Sequence, residues 1–329
     1  MTLELSLCCD NRDIVRPLID GEVSPEGVDL TPLVEHPPVR HRRFFRNTEF
    51  DVCEVSLASY LSSRADPEQY PVTAIPVFPS KKFRHSFLYA HENAGIEAPS
   101  DLAGKKVGIQ SWQTTANVWL RGILREHYGL DLEAVEWYRR PVHGVPSSVP
   151  ARFYVLPVPG ALEGDGVERP ADLREMLFHG DLGAAMDPST ALFDAVVDAP
   201  DVGLLFDDPL AEERGYFEAT GIHPPMHLVA IRDEILAEHP WVANSLFDAF
   251  CEARDRALDP GPGEYTSLTW AHLHFRRQRE ELGPNIWAYG LTEQTRRELR
   301  TFVAYAHNQG LIPREYELSE LFADSVLKG

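Results

Sequence analysis

Apolar runs of strand length recur along the first 230 residues, separated by polar stretches of helical spacing. Segments 3–8, 28–33, 50–55, 72–78 and 86–90 read as strands, and 39–46 and 57–64 as helices. The style continues with a strand at 107–109, a long helix carrying Val118, Leu120, Ile123 and Leu124, and a strand at 135–138. Segment 141–159, rich in Pro, Gly and Ser, reads as a loop with a short strand at 153–155. A helix at 171–178 and strands at 183–186 and 226–231 follow, then three helices at 240–258, 266–282 and 292–309.

Strands alternating with helices predict a parallel or mixed sheet covered on both faces. Two such units stand in series, and the second ends near 222. A helical tail cannot bury its apolar faces alone, so it must return to the first unit. The expected architecture is α/β and two-lobed. Residues 1–92 with 225–329 form the first lobe, 93–224 form the second, and hinge crossings fall near 92 and 224.

Length and apolar content agree, since 329 residues at 43% apolar exclude general disorder. With 31 Lys and Arg against 51 Asp and Glu, the net charge of −20 argues against nucleic acid and anionic membranes. No apolar run is long enough to span a bilayer. The start of the chain lacks a basic region and a long apolar core, so a cytoplasmic location is expected. Cys8, Cys9, Cys53 and Cys251 form no Cys-x-x-Cys pair and read as small buried hydrophobes. The sequence leaves the oligomeric state open, a homo-oligomer included.

In open α/β sheets, ligands bind beyond the carboxyl ends of strands. Those positions here carry Asp10 and Arg12; Glu54 and Ser56; Ser80, Lys81, Lys82, Arg84 and His85; Gln110 to Thr115; and Asp187 and Ser189. Ser111, Thr114 and Thr115 precede the long helix, where free amides favour an anion. Ordinary capping would use the same residues. Trp112 could stack on a flat ring, with Gln113 beside it. Arg84 and His85 join a cation to a titratable ring. His223 and His227 are four apart, but Pro224 and Pro225 break the helix a metal pair would need. The basic run at 39–43 reads as a solvated helix face, and His272 and His274 as surface residues. No dinucleotide fingerprint, phosphate loop or serine-hydrolase elbow occurs.

Eight segments in order carry a resemblance: FDVCEVSLASYL (50–61), AIPVFPS (74–80), FRHS (83–86), DLAGKKVG (101–108), TTANVWLRGIL (114–124), GIHPPMH (221–227), WAYGL (287–291) and YAHNQGL (305–311). Together they resemble the 4,5-dihydroxyphthalate decarboxylase family, relatives of the type II periplasmic binding proteins. Segment 139–200 carries no family pattern. The resemblance implies a ligand cleft between two lobes and loss of carbon dioxide from a hydroxylated aromatic dicarboxylate. A para hydroxyl can act as the electron source, so no organic cofactor is expected; a divalent metal has no evident ligand set but is left open. On that reading His85 is the proton donor, and His227 the alternative donor or phenol base. Glu54 accepts a phenolic proton, and Arg12 and Arg84 hold carboxylate. Ser111, Thr114 and Thr115 bind the second carboxylate, and Trp112 stacks on the ring. Ser56, Ser80, Gln113, Asp187 and Ser189 complete the lining. A non-catalytic binding protein for a small aromatic anion is the alternative. A chorismate-processing or pyrimidine-synthesising enzyme on the same fold is another.

Overall fold

A computed structural model describes residues 2–139, 155–157, 173–259 and 267–327. The strands sort into two sheets. The first contains β1 (Leu3–Cys9), β2 (Val28–Val34), β3 (Val52–Ser56), β4 (Val72–Lys81) and β11 (Pro225–Arg232), in the order β2-β1-β3-β11-β4. The second contains β5 (Leu88–His91), β6 (Lys106–Ile109), β7 (Glu136–Arg139), β8 (Val155–Pro157), β9 (Ala184–Met186) and β10 (Val202–Leu204), in the order β10-β5-β9-β6-β7-β8. Of the strand expected at 153–155, only Val155 is described, where it begins β8; 140–154 and 158–172 lie outside the described residues.

Burial follows position in the sheet. Every residue of β3 is buried, because β1 and β11 flank it and helices cover its faces. The edge strand β2 alternates and is half exposed. Cys8, Cys9 and Cys53 are buried in the first sheet and, like the half-buried Cys251, carry free thiols.

The first crossing between sheets comes earlier than residue 92. Lys81 ends the last strand before it, and Leu88 already pairs with Met186 of the second sheet. Segment 86–90 is apolar enough for either sheet; pairing with β9 and β10 decides its place. The return passes through Pro224, whose carbonyl accepts the Lys82 amide at 2.9 Å, so the two crossings are bonded side by side. The helix Val242–Leu258 then packs on Asp13–Ile19 and β4, and the helix Glu293–Asn308 lies against Thr115–Tyr128 and Leu57–Ser63. That last packing is close: a Cβ on Gly122 would come within 2.1 Å of the Tyr305 ring, so only glycine fits there. Among the described residues, no helix is long and apolar enough to cross a membrane.

Candidate active site

Glu54, in the middle of β3, is fully buried and organises one wall of the site. Its Oε1 lies 2.7 Å from Arg40 Nη2 and 2.5 Å from His227 Nδ1. Its Oε2 accepts the Asp10 amide at 2.8 Å, and Arg12 Nε stands 4.0 Å from Oε1. Arg40 also donates from Nε to the Glu54 carbonyl and from Nη1 to the Glu35 carbonyl. Strand register brings His227 into this array, since on β11 it faces Ser56 of β3 and Ser80 of β4. The His41 ring meets that of His227 edge-on, with centroids 5.1 Å apart.

Arg40 and His41 correct the expectation for the basic run 39–43. They lie four residues before Phe44 and Phe45, and all four share the buried face of the helix Pro37–Asn47. That spacing was a readable signal, masked by the charge of the run.

Burial alone would push the Glu54 carboxyl up. Arg40, His227 and Arg12 together outweigh it and hold the group far below the ordinary carboxylate range. Glu54 is therefore a fixed anion, not the phenol base expected from sequence. Its effect falls on His227: the ionised carboxylate holds the proton on Nδ1. That leaves Nε2 without a protein partner among the described residues, and 14% of the side chain is exposed. Burial lowers the His227 pKa despite Glu54, so the free ring is neutral at pH 7.

Three cations stand close by. Arg12 reaches Asp10 at 2.9 Å, and Lys82 is exposed. Arg84 is buried, with its guanidinium 5.1 Å from the Phe87 ring centroid. Burial and then Arg12 draw the Arg84 pKa down to about 10; desolvation, Arg84 and Arg12 lower Lys82. The mutual effects place the three within Coulombic reach of one another, with Asp10 beside Arg12 and Lys82 and Glu213 beside Arg84 as their acidic neighbours. Lys81, the other candidate, is instead buried against Glu298 at 2.8 Å.

His85 is not placed to donate a proton at neutral pH. It is fully buried among Tyr128, Phe206 and Tyr216, and neither ring nitrogen has a partner. Burial, reinforced by His127, lowers its pKa from 6.5 to about 4. A buried neutral histidine favours the folded state above its unfolded pKa; that contribution is lost as pH falls from 6.5 towards about 4. His85→Phe is expected to keep turnover within a few-fold of wild type and to flatten the decline in thermal stability over this range. A variant with turnover lowered a hundredfold would restore His85 as the donor.

The second lobe contributes Gln110 and Asp187, one residue beyond adjacent strands β6 and β9. Gln110 Nε2 donates to Asp187 Oδ1 at 2.7 Å, and the Ser189 amide donates to the same oxygen. Ser189 caps its own helix through Leu192. Ser111 and Thr114 share a hydroxyl hydrogen bond of 2.7 Å; Thr114 occupies the cap position without a side-chain cap bond. Ser56 and Thr115 are bonded to each other at 2.8 Å, joining helix starts from the two lobes, so their hydroxyls are structural. Ser80 and Gln113 are buried.

Trp112 is a correction as well. It is fully buried, packed edge-on against Trp137, with Nε1 donating to the Gln309 carbonyl. It belongs to the core and cannot stack on a ligand. Among the described residues, no group of three or more His, Cys, Asp or Glu side chains is arranged to hold a metal ion.

Two mixed sheets with polar strand ends at their junction define an α/β protein of the two-lobed binding-protein type. Solved structures of similar fold include the periplasmic aliphatic sulphonate binding protein SsuA from Escherichia coli, with TM-score 0.55 and 14% identity over the full length of both chains. The desulfurization enzyme DSZB matches with TM-score 0.54 and 15% identity, covering 99% of this chain and 98% of its own. The fold thus serves both binding proteins and enzymes. No family model matches the sequence. A 4,5-dihydroxyphthalate decarboxylase from Comamonas testosteroni is 33% identical over 99% of this chain and 98% of its own length. One from Pseudomonas putida is 35% identical over 66% of this chain and 82% of its own. The chain belongs to the 4,5-dihydroxyphthalate decarboxylase family.

Proposed function

We propose that this protein decarboxylates 4,5-dihydroxyphthalate to protocatechuate and carbon dioxide. The observation that carries the reading is the joining of full-length family likeness to one local array. In that array His227 is oriented by Glu54 and Arg40, beside the cations Arg12, Lys82 and Arg84.

The net reaction consumes one proton and releases carbon dioxide. His227 suits the uptake because its side chain is partly exposed with Nε2 unpartnered among the described residues, and an imidazolium there would lie against the Glu54 carboxylate. Arg12, Lys82 and Arg84 hold the substrate's carboxylates; a guanidinium can do so through two parallel hydrogen bonds. A dianion placed beside His227 raises its affinity for a proton. In the second lobe Asp187 has one oxygen engaged by Gln110 and Ser189, and in this scheme its other oxygen accepts the substrate hydroxyl. As that proton is withdrawn, electron density moves through the ring to the para carbon, which takes a proton from His227. The carbon–carboxylate bond then breaks, its electron pair returns to the ring, and the oxygen recovers its proton. The hydroxyl supplies the electrons, so the scheme needs no electron sink.

Incubation with 4,5-dihydroxyphthalate is expected to yield stoichiometric carbon dioxide and protocatechuate, with turnover unaffected by a strong chelator. Tight binding without product would favour a binding protein instead.

A further inference from the structure

Among the described residues, the side-chain hydrogen bonds of His227 fall on one atom, Nδ1. Glu54 Oε1 lies 2.5 Å from it, and Arg40 Nη2 lies 3.3 Å from the same nitrogen. Contacts at one atom leave the plane of the ring free, because the torsion that turns an imidazole about its Cβ–Cγ bond is soft. Nε2 swings with that plane, so aiming its proton at one ring carbon of the substrate needs a second constraint. A misplacement of about 1 Å can cost ~10²-fold in rate.

His41 supplies a flat contact on that ring. It follows Arg40 on the buried face of the helix Pro37–Asn47. Its ring meets that of His227 edge-on, with planes 89° apart and centroids separated by 5.1 Å. A perpendicular pair is a favoured arrangement of flat rings, and turning either ring out of it loses contact. His41 Nε2 is buried without a hydrogen-bond partner, so that nitrogen anchors nothing else and the ring acts through its shape. The ring is also uncharged at neutral pH. Burial, then His227 and Arg40, hold its pKa well below 6.5; His36 adds to them and Glu54 opposes. A charged ring at this place would repel the imidazolium that His227 becomes.

We propose that His41 is a positioning residue for His227: its neutral ring, packed edge-on, fixes the plane of the imidazole and so the direction in which Nε2 gives up its proton. One helix turn then supplies both constraints, Arg40 at the nitrogen and His41 at the ring. The substrate's carboxylates are held elsewhere, by Arg12, Lys82 and Arg84, so losing His41 falls on kcat and spares binding. The inference rests on the reading that His227 donates the proton.

Three single variants and one double variant test it, with phthalate affinity by calorimetry read separately from turnover. His41→Leu keeps bulk but loses the flat ring. It is expected to lower kcat about tenfold or more, with KM and phthalate affinity within about twofold of wild type. His41→Phe restores a neutral flat ring and should recover kcat to within about threefold, with the His227 limb of the pH–rate profile unmoved. Because His41 acts through His227, adding His41→Leu to His227→Gln should cost nothing further. His41→Met, flexible and ringless, replaces His41→Leu if that variant does not fold. A folded ringless variant with kcat within about twofold of wild type would overturn the inference and leave the donor reading intact. An equal loss in His41→Phe, a fall in phthalate affinity matching that in kcat, or the full loss repeated in the double variant would do the same. An upward shift of the His227 limb in His41→Phe would show that His41 carries charge, and overturns the inference too. Near-normal turnover in His227→Gln faults the donor reading, and the inference falls with it.

Discussion

Replacing His227 with glutamine is expected to lower kcat by roughly 10²–10⁴-fold, the usual loss when a positioned general acid is removed. Glutamine is close to histidine in reach and can still donate to Glu54, so the wall of the cleft should keep its shape. The variant cannot carry a proton to the ring carbon. Thermal melts within a few degrees of wild type would separate this from unfolding. The wild-type pH profile adds a second mark. The donor must be protonated in the substrate complex, so kcat should fall as pH rises through the His227 pKa of that complex. The residual activity of the variant should lack that limb. Near-normal turnover in a folded His227→Gln protein would remove His227 from the mechanism.

Arg40→Met should be the most destabilising single change at the site, by about 3–5 kcal/mol. Both members of the Arg40–Glu54 pair are fully buried and lie 2.7 Å apart, so losing the guanidinium strands a carboxylate in the core. The pH dependence has a defined sign. In wild type the folded-state pKa of Glu54 is depressed. Its contribution is therefore present above the unfolded value of 4.5 and fades as pH falls below it. Without Arg40, burial dominates and the folded-state pKa rises above the unfolded one. The deficit of the variant should then be greatest at neutral pH and shrink on acidification. Urea unfolding at pH 7.5 and pH 5 would measure it, and a deficit independent of pH would contradict the pairing. Adding Glu54→Leu to Arg40→Met should recover much of the stability but none of the activity, because His227 loses its orienting anion.

Much of this site could be read from the chain. Arg12, Arg84 and Asp187 were reachable because each falls shortly after a strand, and Glu54 and His227 because each lies in or beside an apolar run of strand length. Gln110 and Asp187 meet because β6 and β9 are neighbours, and each was visible as the first polar residue after its strand. The roles were less legible. Glu54 looks like a base until Arg40 is placed against it, 14 residues away on a helix whose charge suggested solvent. His85 sits beside Arg84 in sequence, yet the turn through Ser86 sends it among Tyr128, Phe206 and Tyr216 from distant segments. Trp112 follows a strand end, as a stacking residue would, but Trp137 and Arg121 claim it for the core.

The sequence by itself determined the strand and helix order, the two-lobed α/β class, the family, and the level of the sheets at which chemistry would lie. The family follows from its matching segments; the rest follows from hydrophobic period and chain order, which are local properties. Only the tertiary structure decided which histidine is held by Glu54 and partly exposed, which carboxylate is pinned as an anion, and which cations lie together. A side chain's proton affinity and reach depend on burial and on charges brought close from other parts of the chain. Those neighbours exist only once the sheets have packed.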